Sequence, residues 1–338
     1  MSAPPPPPEA LPPHRPPPHL LPLYALVHSA RVLGYAPLAA YSLLRWPRKA
    51  ISAAAAYYAL RFASPRWRAA VRRTIARGSS QRPRLLRAQS RPYERGRQYL
   101  IASHPHGILN YGWWNVFARC GEGLSSCFDG VEPVMCMAPA VRWYPLYGEL
   151  LEDRGTDPSA STIRRILRDT TFSPALIPGG FSEACYTNAS PVVEYAYIAD
   201  RTGFLRLAIE AGVDIIVTYT YGLNDMYRTL EWRRHWRAVK AQEWGLPLVY
   251  WWGPLGKICG NVPYTEDVTV ATFDPFPASK YTLDQLPQAH ADYMRYLKQC
   301  FDSRKGECGY LHKRLEFIGK TKPPERTQVS SMPVRSKL

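Results

Sequence analysis

Residues 201–219 read RTGFLRLAIEAGVDIIVTY. In the first half, Phe204, Leu207, Ala208 and Ala211 recur at the three- and four-residue spacing of one helical face. Gly212 follows, the residue type that most readily ends a helix in a left-handed turn. From Val213 onward, Asp214 apart, the residues are β-branched or aromatic, as in a buried strand. The segment therefore predicts a helix over 201–211 and a strand over 213–219.

Working outward, the same alternation repeats. Residues 99–103 (YLIAS), 133–137 (PVMCM), 175–177, 248–252 and 268–273 are short apolar strand candidates. Between them, 142–151 reads as helical, and Asp157-Pro158 is a helix start with proline in the first turn, leading into 163–167. Residues 283–301 read as a long amphipathic helix. Strands alternating with helices predict a layered α/β domain. No internal repeat and no domain break is evident after residue 98.

The 338 residues carry a formal net charge of +16, and 46% are hydrophobic. The mean hydropathy is -0.29. That is too apolar for a wholly disordered chain and too polar for a polytopic membrane protein. Seven cysteines with no CxxC pair argue against a disulfide scaffold and for a reducing, cytosol-facing compartment. The charge is uneven. Residues 1–97 hold 17 Lys or Arg against 2 Asp or Glu, whereas residues 98–338 hold 26 against 25. The densest basic run lies between Arg61 and Arg97, and such a run attracts a polyanion, either nucleic acid or an anionic lipid surface. What precedes it favours lipid. A proline-rich tail (1–19), expected to be disordered, leads into two apolar stretches, 20–44 and 51–63, with Trp46, Pro47, Arg48 and Lys49 between them. Neither stretch is a clean span, so 20–63 is expected to form a membrane-associated hairpin with both ends on the basic, cytosolic side; two ordinary helices packed on the core are the alternative. Residues 64–97 follow as a basic juxtamembrane segment, 98–318 as the folded domain and 319–338 as a flexible tail.

Three motifs sit at strand ends. His104-Pro105-His106-Gly107 follows the 99–103 strand. Pro105 restrains the chain and Gly107 lets it turn sharply, so an imidazole is presented at the mouth of the sheet. Imidazole is the usual general base near neutral pH; a capped loop with a satisfied histidine is the other reading, and metal binding has no third histidine or cysteine nearby in sequence to support it. Gly179-Gly180-Phe181-Ser182-Glu183 follows the 175–177 strand. Its glycines admit close approach to the backbone and can expose N–H groups for an oxyanion, and Glu183 could orient a histidine or polarise a hydroxyl; a tight turn is the competing reading. Arg201 and Arg206 stand where they could hold phosphates at a helix N-terminus, or simply form a solvated face.

In this order the motifs resemble the diacylglycerol acyltransferase type 2 family, which includes monoacylglycerol acyltransferases and some wax-ester synthases. The resemblance rests on His104-Pro-His-Gly107, Gly179-Gly-Phe-Ser-Glu183, residues 201–208, Gly212, Tyr221-Gly222 with Asn224 and Tyr227, Val262-Pro263-Tyr264 and the helix around His290 and Tyr293, closing near Lys305. It spans roughly residues 95–310. It implies a layered mixed sheet with helices on both faces, glycerolipid-acyltransferase-like, behind an N-terminal membrane hairpin. It also implies acyl transfer from acyl-CoA, as co-substrate, to the hydroxyl of diacylglycerol, with no metal or other cofactor. His106 is then expected to act as base, with His104 supporting the turn or sharing the proton and Glu183 orienting the imidazole or stabilising its charged form. Gly107, Gly179 and Gly180 are expected at the substrate, and Arg201 and Arg206 at the phosphates of the acyl-CoA. The wider glycerolipid acyltransferase superfamily places an Asp five residues after its histidine. Here Leu109 and Tyr111 stand at those positions. Other acceptors (monoacylglycerol, a long-chain alcohol, a sterol) and a distant nucleic-acid-binding reading of the Arg run remain open, as does the oligomeric state. Of the cysteines, Cys185 lies two residues after Glu183, where an acyl-enzyme is conceivable, but a small buried residue is expected. The resemblance implies the cytosolic face of the endoplasmic reticulum and lipid droplets, while the terminal Ser336-Lys337-Leu338 matches a peroxisomal address.

Overall fold

The computed structural model describes residues 45, 47–64, 66–67, 84–108, 128–138, 155–245, 248–254, 263–264 and 267–324. The expectations for the proline-rich tail, the first apolar stretch, the helix at 142–151 and the peroxisome-like tail fall outside these residues.

Strand β2 (Leu100–His104) is buried at all five positions. It lies between two parallel neighbours, β5 (Ser173–Leu176) and β7 (Ile215–Tyr221). Beyond β5 come β3 (Pro133–Cys136) and β4 (Gly155–Thr156), both parallel. Beyond β7 comes β10 (Thr269–Phe276), antiparallel to it, and then β1 (Arg84–Arg87), parallel to β10. The result is a seven-stranded mixed sheet in the order β1-β10-β7-β2-β5-β3-β4. Two small pairs stand apart: β6 (Val193–Ala196) with β11 (Arg314–Phe317), parallel, and β8 (Arg228–Thr229) with β9 (Trp251–Trp252), antiparallel.

Residues 203–221 behave as their chemistry requires. Helix α4 (Gly203–Ala211) ends at Gly212, whose φ of 65° places it in the left-handed region while its N–H reaches the carbonyls of Ala208 and Ile209. The Val213 N–H also returns to Ala208 O at 3.0 Å, so Val213 belongs to the helix stop and the strand begins two residues later than its composition suggested. Phe204, Leu207 and Ala208 are buried as expected, but so are Leu205 and Ile209, while Ala211 is exposed. The apolar stripe is wider than one face because α4 packs beside both α2 (Ala160–Asp169) and α6 (Leu286–Arg304). Helix α2 starts after Asp157-Pro158, with the Ser159 side chain accepting from the Thr162 N–H as its cap. Helix α6 follows a short 3-10 turn, Leu283–Gln285, so the expected start at residue 283 falls in that turn.

The main core fills one face of the sheet. Leu100, Ala102, Val217, Tyr219, Ala271 and Phe273 meet the buried sides of α2, α4 and α6. Each fully buried large side chain of this kind contributes about 1.5–3 kcal/mol. The described helices on the sheet share that face; helices on the opposite face were also expected, but none is among the described residues. A second core lies beyond the carboxyl ends of β2, β5 and β7, where Tyr186, Tyr195, Tyr197, Leu223 and Met226 gather with α3 (Gly180–Ala184) and α5 (Arg234–Trp244).

The N-terminal boundary needs correction. Strand β1 lies inside the stretch read as a basic juxtamembrane segment, and the arginines at both ends of Arg-Leu-Leu-Arg concealed it. Arg87 pairs with Asp129, and Arg97 with Asp214 at 2.6 Å, so part of the basic run serves the fold. The second apolar stretch is one helix, α1 (Pro47–Ala63), which takes in Arg48 and Lys49. No described helix is long and apolar enough to cross a membrane.

Candidate active site

Three adjacent parallel strands end on the same side, and each ends in one of the motifs. β2 delivers His104, which pairs in register with Tyr219 of β7, and the chain then turns through a cis Pro105, His106 and Gly107. β5 runs into Pro178-Gly179-Gly180 and α3. β7 runs into Gly222, which opens the 3-10 turn Leu223–Asp225. Crevices outside the carboxyl ends of parallel strands are where α/β folds place their ligands.

Glu183 joins two of these ends. It is 2% exposed. Its Oε1 accepts the backbone N–H of His106 at 2.6 Å, and its Oε2 accepts that of Tyr197 at 2.7 Å. Burial pushes the carboxyl up to about 7, while the two N–H groups and the nearby Arg201 pull it back. Only glycine fits at Gly179, because a Cβ there would stand 2.1 Å from Glu183 Oε2. Gly107, at a φ of 60°, is equally constrained, since its Cβ would stand 2.6 Å from Leu223 Cγ.

This corrects one expected role. Glu183 does not orient the imidazole of His106; it holds the main chain of the turn. The ring is oriented locally, with Nδ1 2.8 Å from Gly107 O. A carbonyl can only accept, so Nδ1 carries the proton and Nε2 keeps its lone pair. The ring is half-buried, edge-on to Phe181 at a centroid distance of 6.1 Å. Burial lowers its pKa to about 4, with Gly107 O opposing and Arg201 adding to the shift. His106 is thus a neutral imidazole with a free basic nitrogen.

His104 is enclosed. Its Nε2 lies 2.9 Å from the hydroxyl of Tyr293 on α6, its Nδ1 is buried without a partner, and burial lowers its pKa to about 3. Tyr293 is the partner that the sequence reading missed. It appeared there only as part of a family pattern, 189 residues away. Phe204 and Phe276 pack edge-on against its ring at 4.9 and 5.4 Å.

The two arginines do not converge. Arg201 turns inward, donating to Pro178 O at 3.0 Å, Ser182 Oγ at 2.8 Å and Gln242 Oε1 at 3.0 Å, with its guanidinium over the Tyr197 ring. It braces α3 against α5. Arg206 is exposed on α4, beside Glu210. A shared phosphate clamp is not formed. Of the N–H groups considered for an oxyanion, that of Gly180 is engaged by Ile177 O at 3.1 Å. Cys185 is buried, its thiol is directed at the carbonyls of Phe181 and Leu248, and burial pushes it up to about 11, so it is no nucleophile.

A second buried cluster was also missed. Lys313 Nζ lies 2.7 Å from Glu194 and 2.8 Å from Asp225, and Asn224 donates to Glu194 at 2.5 Å. Tyr310 donates to Asp225 and accepts the Gly222 N–H at 2.8 Å. Burial opposes the charge on Lys313, but Glu194 and Asp225 hold its pKa above the ordinary lysine value. The cluster ties the turn after β7 to β6 and to the segment entering β11.

Fold and site together define an α/β protein with a histidine turn set at the crevice of a mixed sheet. The model of a family described as diacylglycerol acyltransferase matches residues 82–317, and the chain belongs to that family. It is 28% identical over 236 residues to the human acyl-CoA wax alcohol acyltransferase 2, covering 66% of this chain and 70% of that protein. It is 28% identical to the human 2-acylglycerol O-acyltransferase 3 over 63% of this chain and 66% of that one. Diacylglycerol O-acyltransferase 2 of Danio rerio is also 28% identical, over 63% of this chain and 62% of the relative. Among solved structures, the acyltransferase PlsC of Thermotoga maritima aligns over 82% of this chain and 94% of its own at 12% identity and a TM-score of 0.38, too distant a likeness to bear on the fold. The chain is an acyltransferase.

Proposed function

We propose that the protein is an acyl-CoA:diacylglycerol O-acyltransferase that forms triacylglycerol. The observation that carries this reading is the free Nε2 of His106, held at the strand ends by a turn whose main chain is fixed on Glu183. An alcohol is a poor nucleophile at neutral pH. A neutral imidazole beside it removes the proton as the oxygen attacks the thioester carbon, and general-base help of this kind is worth roughly 10²–10⁴-fold. The carbon–sulfur bond then breaks, the ester forms, and the proton passes from His106 to the departing CoA sulfur. His106 is the catalytic residue in this scheme. Glu183 and His104 are positioning residues, one acting on the main chain and the other packed under the turn against Tyr293. Gly107 and Gly179 let Leu223 and Glu183 pack directly against the turn.

The acceptor is the open part of the proposal. A wax alcohol acyltransferase and a 2-acylglycerol acyltransferase are as similar to this chain as a diacylglycerol acyltransferase. A long-chain alcohol or monoacylglycerol is therefore the second reading. Expression of the full chain in a host lacking triacylglycerol synthesis, followed by lipid analysis, separates them. Restored triacylglycerol supports the first reading. Wax esters or diacylglycerol without triacylglycerol support the second, and no new neutral lipid contradicts both.

The same reading places the enzyme on the cytosolic face of the endoplasmic reticulum and on lipid droplets, held by residues 20–63 as a membrane hairpin. The basic segment from residue 64 would then face anionic headgroups. Ser336-Lys337-Leu338 makes a peroxisome-type organelle the alternative address. Imaging an N-terminally tagged chain with and without Leu338 decides between them.

A further inference from the structure

Helix α5 has two unlike sides. Its inner side carries buried Ala238, Ala241 and Arg237. It braces the catalytic segment, since Ser182 Oγ donates to Ala238 O at 2.8 Å and Gln242 receives Arg201. Its outer side carries indoles. Trp232, just before the helix, is 61% exposed, and Trp236 and Trp244 are 44% and 54% exposed. Trp236 and Trp244 meet at right angles with ring centroids 6.0 Å apart. The guanidinium of Arg233 lies over the Trp232 ring at 5.0 Å.

Three exposed indoles on one short element are unusual for a water-facing helix, because each leaves a large apolar surface hydrated. Tryptophan, rather than leucine or isoleucine, is the residue that settles at the headgroup level of a bilayer, where its ring is shielded and its N–H stays wet. The charges around the indoles are mixed: Glu231, Arg233 and Glu243 are exposed beside them, Lys240 pairs with Glu243 at 2.6 Å, and Arg237 is turned inward. Charges of both signs beside amphipathic rings fit the headgroup layer of a phospholipid bilayer.

We propose that the Trp232–Trp236–Trp244 face is a lipid-contacting surface, which seats the folded domain on a phospholipid interface. It rests on the reading that the substrates are membrane lipids. It adds which face of the domain meets them: the helix that touches lipid on its outer side braces, on its inner side, the segment carrying Glu183.

The test uses bromine quenching. The full chain and a variant carrying Trp232→Phe, Trp236→Phe and Trp244→Phe are reconstituted in vesicles of phosphatidylcholine and phosphatidylserine, with or without dibrominated phosphatidylcholine. Emission of wild type minus variant isolates the three indoles. More than half of that difference should be lost to the brominated lipid, and it should be protected from aqueous iodide. A difference quenched by iodide and untouched by bromine places the indoles in water and overturns the proposal. A difference quenched by neither places them under protein, such as a second copy of the chain, and overturns it too. If the triple variant does not fold, the three single variants give the same difference in parts. Acyl transfer measured on the same vesicles reads the proposed function separately, so the two fail independently.

Discussion

At the residue scale, the two histidines of one tetrapeptide have opposite surroundings. His106 keeps a free nitrogen at a half-buried edge, while His104 is sealed beneath it against Tyr293. The sequence made both visible, because few residue patterns explain a rigid turn with paired imidazoles at a strand end. It did not separate them, because the separation depends on α6 arriving beneath β2. Glu183 was legible as a site residue for the same reason. Its target was not, since nothing in the one-dimensional order distinguishes a carboxylate facing a ring from one facing a main chain. The main-chain role has a consequence. A glutamine at this position accepts from one N–H and must turn an NH2 toward the other, leaving a buried donor unpaired at about 1–3 kcal/mol. Glu183→Gln should therefore lose thermal stability together with turnover; a variant with wild-type melting and a selective loss of turnover would favour a role on the ring. The histidines also set a pH dependence. His104 and His106 titrate near 3 and 4 when folded, below the ordinary 6.5, so below that value the unfolded chain binds protons the folded one does not. Their contribution is complete above pH 6.5 and is lost as the pH falls toward 4. Glu183, raised to about 7, acts in the opposite direction, binding a proton in the folded state that the unfolded chain has released above pH 4.5. Two histidines outweigh one carboxyl, so the melting temperature should fall between pH 6.5 and 4.5, and His104→Gln should flatten that fall. An unchanged slope would contradict it.

At the element scale, α3 is too short to be stable alone. It is held by Arg201 from one side and by α5 from the other. The glycine pair before it was legible as a turn, and Gly179 has a sharper purpose, because its missing Cβ is the space Glu183 occupies. Gly179→Ala should displace that carboxylate and reduce acyl transfer at least tenfold while the far-UV spectrum is kept. Wild-type turnover in that variant would mean the clamp is dispensable. Strands β1, β6 and β11 were not legible. Each is four residues long, and their charged positions (Arg84, Glu194, Arg314) interrupt the apolar runs on which strand recognition depends. Glu194 is the instructive case, since it is buried in a strand only because Lys313 is brought beside it.

At the scale of the whole molecule, two cores meet at the strand ends, and the site lies at their junction. The larger core was readable from periodicity because its helices and strands have clear stripes. The smaller one was not, being built from tyrosines, short turns and the Lys313 cluster. That cluster predicts the cost of disturbing the junction. Removing one partner of a buried ion pair typically costs about 3–5 kcal/mol, because the remaining charges stay buried. Lys313→Met should accumulate poorly, and adding Glu194→Gln should recover part of the loss; equal damage in the single and double variants would show that the charges are not what matters. Catalysis depends on the free nitrogen of His106. In membranes containing the full chain and labelled acyl-CoA, His106→Ala should lower formation of the acylated neutral lipid by about 10²-fold or more at unchanged protein level. Product formation near the wild-type rate would contradict it.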